Sequence, residues 1–159
     1  MKQTGPIQVD IIDFSPDLAF EFREMNLSWL ERYFYVEPKD EDLLNRAEEV
    51  IIDQGGKIFF GKVKGEIAGC FSLLPGEDMC FELGKMAVKP QFQGQQIGQK
   101  LLRFAIDYTR ERGMHRLYLY SNTILTPAIH LYRKFGFVEI EMEDPPPYAR
   151  SNIKMALNL

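Results

Sequence analysis

Three features of this 159-residue chain predict an α/β (α+β) fold with one mixed central sheet of about seven strands and four helices. Three strand-like segments follow one another between residues 57 and 88, joined by short turns. Amphipathic helical patterns precede and follow that block. Over Glu82–Leu102 (ELGKMAVKPQFQGQQIGQKLL) a strand pattern runs through one proline into a glycine-containing turn and then a helix, so strand and helix are interleaved rather than segregated.

Taken in order, Ile7 to Phe14 alternates as a first strand, and Ser15-Pro16 opens a helix from Asp17 to Phe34. The apolar residues of that helix, including Phe22, Met25, Trp29, Leu30 and Phe34, cover more than a narrow stripe, enough to face a groove as well as a core. A second helix is expected from Asp40 to Asp53, with acidic residues at its positive end and Gly55-Gly56 as its stop. Strands Lys57–Val63, Glu66–Leu74 and Met79–Val88 are separated by the hairpin connections Lys64-Gly65 and Pro75-Gly76-Glu77-Asp78. After Gly98, Ile97, Leu101, Phe104, Ala105 and Tyr108 form the stripe of a sheet-packing helix that Gly113 ends. A strand His115–Ser121, a helix Leu125–Phe135 and two strands near Val138–Met142 and Ile153–Leu157 complete the order βααβββαβαββ.

Length and composition agree with one compact domain over residues 1–159. No apolar run is long enough to span a bilayer, and the start MKQTGPIQVDIIDF lacks the basic-then-apolar order of a signal peptide, so a cytoplasmic location is expected. A net charge of −4 with no basic block argues against nucleic acid as a partner. Cys70 and Cys80 lack metal-ligand spacing and read as reduced thiols; no metal is expected. Acidic residues gather at Glu37–Glu49 and Glu139–Asp144, a distribution compatible with a cationic acceptor or with solvated acidic faces. The sequence sets no oligomeric state and leaves a homodimer open.

The turn before the third helix is an anion cradle, because a turn of small bulk lets backbone N–H groups approach a phosphate at the positive end of a helix. It is neither of two common phosphate loops. From Gly94 a Walker A register reads Gln99, Lys100 and Leu101, with no hydroxyl for magnesium, and Gly94 with Gly98 falls one glycine short of a dinucleotide fingerprint. Gln93-Gly94-Gln95-Gln96-Ile97-Gly98 instead resembles the pyrophosphate loop of the GNAT superfamily of N-acetyltransferases, Gln/Arg-x-x-Gly-x-Gly/Ala, with Gln96 where the family carries its middle glycine. Should Gln96 take a positive φ, that loop is strained. A second segment, PAIHLYRKFGF, resembles the family's Ala-x-x-x-Tyr-x-x-x-Gly-Phe signature through Ala128, Tyr132, Gly136 and Phe137, although Leu125 stands where many members have asparagine. LSWLERYF and YARSNIKMAL look like a bacterial subgroup whose members mostly lack an established substrate.

The resemblance implies the GNAT fold, acetyl-CoA (coenzyme A) as cofactor, and acetyl transfer to a primary amine of a small molecule or peptide by direct attack in a ternary complex. It assigns the pantetheine arm to Met86, Ala87 and Val88, and the pyrophosphate to Gln93, Gly94, Gln95, Gln96, Ile97, Gly98, Gln99 and Lys100. Asn122 and Tyr132 join them beside the cofactor. Amine acylation needs a neutral nucleophile, and an alkylamine of pKa about 10.4 is almost wholly protonated at neutral pH, so a base helps. Glu82, on the strand leading into the loop, is the candidate, with a lysine-paired strand carboxylate as the alternative and a water chain as its substitute. A thiol of pKa about 8.5 leaves more readily when an acid protonates it, and Tyr132 matches the family tyrosine beside the cofactor sulfur; packing of a short helix is its other reading. His115 and His130 are poorer bases by position, and Cys80, two residues from Glu82, is a minor candidate for a covalent route.

Trp29, Tyr33 and Phe34 of the first helix and Tyr148 of the segment Pro145–Asn152 are expected to shape the acceptor pocket. Two other classes remain at this point. A non-catalytic acetyl-CoA-binding or interaction domain is suggested by Gln96 and Leu125, and a phosphate sensor unrelated to acyl transfer would bind nucleotides but not coenzyme A.

Overall fold

The structure, a computed structural model, describes residues 7–159. Seven strands form one sheet in the order β1-β2-β3-β4-β5-β7-β6, comprising β1 (Asp10–Asp13), β2 (Lys57–Val63), β3 (Glu66–Pro75), β4 (Cys80–Val88), β5 (Arg116–Ser121), β6 (Val138–Ile140) and β7 (Ile153–Asn158). Four α-helices accompany it: α1 (Ala19–Tyr33), α2 (Pro38–Asn45), α3 (Ile97–Glu111) and α4 (Thr126–Lys134). Only β4 and β5 pair in parallel; every other neighbouring pair is antiparallel. The mixed sheet and the element order are those expected, and the Lys64-Gly65 turn has φ of 51° and 83°, the two positive values of a two-residue hairpin turn.

Three boundaries differ. The first strand is shorter than Ile7–Phe14 and pairs with β2 only from Asp10 to Asp13. The expected single helix Asp40–Asp53 begins earlier, at Pro38, and is broken. Glu37 and Asp40 form a reciprocal capping box around Pro38 at the first helical position, while Arg46 leaves helical geometry (φ −126°, ψ 37°) and a π-helical turn follows over Glu48–Ile52. The strand expected over Val138–Met142 stops at Ile140, shortly before Pro145-Pro146-Pro147, which has no N–H groups to donate to a ladder.

Strand alternation sends side chains of β2 to two separate cores. Phe59 and Val63 join the α3 and α4 side, with Leu101, Leu102, Ala105 and Ile106, whereas Ile58 and Phe60 join Phe22, Met25, Leu30, Leu43 and Leu44 of α1 and α2. Gly61 and Gly69 are cross-strand partners, and a Cβ on either would stand 3.0 Å from a Leu101 methyl, so their lack of side chains seats α3 on the sheet.

The site is positioned by a break in the sheet. β4 and β5 pair from Cys80–Arg116 to Leu83–Leu119 and no further, yet β5 stays on β7 as far as Ser121–Ile153, and β4 stays on β3 as far as Val88–Gly69. Between Gly84, opposite Ser72, and Ala87, opposite Cys70, β4 carries two residues against Phe71 alone, and Lys85 takes φ 51°. This bulge turns the end of β4 away from β5.

Candidate active site

The splay between β4 and β5 opens into a cavity of about 430 Å³. Its walls come from β4 (Glu82 to Val88), β5 and its exit (Leu119 to Asn122), α4 (Ala128, Leu131, Tyr132), α1 (Trp29, Phe34) and the segment before β7 (Tyr148, Arg150). Both expected catalytic residues therefore line one space, together with Met86, Ala87 and Val88.

At one end lies the loop before α3. A neighbouring groove is walled by Gln93, Gly94, Gln96, Ile97, Gly98 and Gln99 and closed by Pro127, His130 and Lys134 of α4. The first hydrogen bond of α3 runs from the Lys100 N–H to the Gln96 carbonyl at 3.2 Å, which leaves the N–H groups of Ile97, Gly98 and Gln99 outside the helix ladder. Nothing lies within 4 Å of a Cβ built on Gly94, and on Gly98 only a Val88 methyl at 3.9 Å. Open space in front of free N–H groups at the positive end of a 15-residue helix fits a diphosphate. Gln96 has φ 62° and ψ 22°, the left-handed geometry for which the family's glycine is suited, and its side chain is exposed.

Tyr132 sits one turn after Ala128 on α4, its ring 5.8 Å from that of Phe137. Burial alone pushes its hydroxyl up to about 12, so at neutral pH the phenol keeps its proton. Glu82 is 8 % exposed and accepts a long hydrogen bond, 3.4 Å, from the Tyr148 hydroxyl. Burial raises its pKa above the ordinary carboxylate range, although Lys39, Lys85 and the Tyr148 bond oppose the shift. A carboxyl moved in that direction is a stronger base when ionised.

Residues 23–137 match the acetyltransferase (GNAT) family. The chain belongs to this family. It is 24% identical to an N-acetyltransferase of Schizosaccharomyces pombe over 89% of this chain and 88% of that one. It is 30% identical to mycothiol acetyltransferase of Thermomonospora curvata over 92% of its own length but only 53% of that enzyme's. A GNAT acetyltransferase of Staphylococcus aureus Mu50 superposes with a TM-score of 0.85 at 24% identity, covering 96% and 99% of the two chains. A GNAT acetyltransferase of Elizabethkingia anophelis, solved with acetyl-CoA bound, does so at 0.66 with 21% identity over 95% and 98%.

Several expected site residues lie elsewhere in this N-acetyltransferase. Lys100 donates from Nζ to the Ile7 carbonyl and spends its N–H inside α3, and Gln95 lines neither the cavity nor the groove. Asn122 lines the cavity, but its amide donates to the Arg150 carbonyl at 2.8 Å and its oxygen accepts from the Ile124 N–H at 2.9 Å, so its side chain ties down a loop. Tyr33 is 42% exposed and lies outside the cavity, in a second groove with Lys89 and Pro90, reaching the acceptor side only through Trp29, whose ring is 5.4 Å away. Trp29, Phe34 and Tyr148 do line the cavity. His115 is at the far end of β5, bonded through its backbone to Met79 and Leu159, and His130 faces the phosphate groove. Cys80 is half-buried at the start of β4 and Cys70 is buried, its thiol pushed up to about 12 by burial.

The sequence reading missed a buried ionic cluster behind the acceptor side. Asp40, with no exposed surface, accepts from both terminal nitrogens of Arg150 (2.6 and 2.8 Å) and from Lys85 Nζ (2.5 Å). Glu37 accepts from the Arg150 guanidinium at 2.9 Å and from the N–H groups of Ala149 and Arg150 at 2.7 and 3.3 Å. Burial pushes the Asp40 carboxyl up, but Arg150 and Lys85 outweigh it and hold it below the usual range. Burial lowers the Lys85 ammonium against the pull of Asp40. Glu37-x-x-Asp40 around a proline was the one local signal, since it spells a capping box. The acids at 37–49 that suggested a funnel for cations are, at Glu37 and Asp40, already neutralised.

Proposed function

We propose that this N-acetyltransferase uses acetyl-CoA to acetylate a primary amine of a small molecule or peptide, by direct attack with both partners bound. The observation that carries the reading is that Glu82 and Tyr132 line one cavity that begins at the β4–β5 splay and adjoins the phosphate-fitting groove. Bound acetyl-CoA supplies an acyl group activated as a thioester.

The N–H groups of Ile97, Gly98 and Gln99 hold the diphosphate, and the unpaired edge of Met86 to Val88 offers backbone donors and acceptors to the amide-bearing arm. Glu82 takes the proton from the incoming ammonium, which its raised pKa favours. Tyr132, neutral at working pH, gives its proton to the departing sulfur. Leu125 lines the cavity wall and Gln96 is an exposed residue in the wall of the groove, which stays open in front of Gly94 and Gly98, and this weighs against a purely binding role.

Tyr132→Phe keeps the ring and its packing while removing the proton. Turnover is expected to fall by more than about tenfold with an unchanged calorimetric affinity for acetyl-CoA. Near-normal turnover would remove the acid from the scheme. A titration in which ATP or NAD bound and acetyl-CoA did not would replace the reading with phosphate sensing.

A further inference from the structure

The acceptor end of the cavity has an unexpected charge pattern. Glu82 is the only carboxylate among the described residues that line it. Nearby acids are committed elsewhere: Asp40 to Arg150 and Lys85, Glu37 to Arg150, and Glu143 to Lys154 and the Tyr120 hydroxyl. The cations beside Glu82 are Lys85 and Arg150 of the cavity wall, matched by Asp40 and Glu37, and Lys39, which lies outside the lining and has no ion pair among the described residues. Lys39, Lys85 and Arg150 stand 4.6, 4.8 and 4.7 Å from the centroid of the Tyr148 ring, whose hydroxyl donates to Glu82. Trp29, Leu30, Phe34 and Tyr120 add aromatic and aliphatic surface, and the other polar lining groups, such as Asn26 and Ser151, are uncharged.

We infer that the acceptor is a monoamine carried on an apolar body, and that the lack of a second free carboxylate, together with Lys39, disfavours polyamines. The inference rests on the acetyl-transfer reading above. A single ammonium finds one carboxylate, Glu82, and its apolar body finds the Trp29–Phe34–Tyr120 surface. A second ammonium a few ångströms along the chain meets the uncommitted Lys39 and no free carboxylate, because Lys85 and Arg150 are already matched to Asp40 and Glu37, and juxtaposed like charges weigh against a partner. Lys39 likewise favours the neutral, nucleophilic form of the bound amine.

The test compares 2-phenylethylamine with spermidine at saturating acetyl-CoA, following thiol release, in the native chain and in Lys39→Glu. Lys39 is exposed on the first turn of α2, outside the catalytic pair, and an acid is favourable at that helix end, so the variant is expected to fold. The native chain should give phenylethylamine a kcat/KM at least about tenfold above spermidine, and Lys39→Glu should narrow that ratio at least about fivefold by improving spermidine. Spermidine equal to or better than phenylethylamine in the native chain, or a ratio that Lys39→Glu leaves unmoved, would overturn the inference while leaving acetyl transfer standing. Failure of every amine to release thiol from a chain that binds acetyl-CoA would overturn both.

Discussion

Glu82, the base of the proposed scheme, is held at a cost to stability. Its folded pKa lies above that of an unfolded glutamate, about 4.3, so folding favours the protonated form. The stability it contributes is present below about pH 4.3 and is lost as pH rises through the folded value. Glu82→Gln is therefore expected to be more stable than the native chain at pH 8, with the gap closing as pH falls toward about 4, and to lose the acidic limb of the pH–rate profile. Denaturant midpoints at the two pH values and a kcat/KM profile check it; an unaltered profile removes Glu82 as the base. Gln96 is the second strained point. A non-glycine residue in left-handed geometry costs about 1–2 kcal/mol, part of which a glycine returns as unfolded-chain entropy. Gln96→Gly should raise the melting temperature by about 2 °C without weakening coenzyme A binding. A lower melting temperature would mean that the exposed Gln96 side chain makes a contact worth more than the strain.

Among the elements, α2 is held more by its ends than by its eight-residue length. Asp40 caps its start through the Glu37 N–H at 2.9 Å and also fixes Lys85 at the β4 bulge and Arg150 before β7, so one carboxylate ties three segments together. Removing a partner from a buried ionic cluster leaves the others uncompensated, a loss of about 3–5 kcal/mol. Asp40→Asn should lower the urea midpoint accordingly with an unchanged slope; a change below about 1 kcal/mol would show that the cluster is solvated in solution. This element also marks where the sequence stopped being informative. The bounds of β2 and the course of α3 were readable because Lys64-Gly65 and the Ile97-to-Tyr108 stripe are local signals, and short motifs singled out the loop before α3 and Tyr132, which line the neighbouring groove and the cavity. The break after Asn45 and the Asp40–Arg150 pair were not, because one follows from tertiary packing and the other joins residues 110 positions apart. Tyr33 was misplaced for a related reason: helical spacing groups it with Trp29, but only the fold decides which of them reaches the cavity.

At the scale of the whole molecule, the proposed scheme has the sheet sort the two reactants. The groove that fits a diphosphate is built by the loop before α3, the start of α3 and α4, whereas Trp29, Phe34, Tyr148 and Arg150 wall the cavity at the β4–β5 splay. A diphosphate-fitting groove beside the cavity that holds Glu82 and Tyr132 suits simultaneous occupancy, with acyl transfer inside the complex rather than through an enzyme-bound ester. The only half-exposed thiol near that path, Cys80, stands at the start of β4 before Glu82, where β4 is still paired with β5, and its sulfur lies 3.5 Å from the Asp78 carbonyl outside the cavity lining. Initial velocities measured over a grid of acetyl-CoA and amine concentrations should therefore give intersecting double-reciprocal lines, and Cys80→Ala should keep kcat within about twofold of the native value. Parallel lines, together with loss of turnover in a folded Cys80→Ala protein, would instead require the acyl group to rest on the chain between two half-reactions, with the splay serving one reactant at a time.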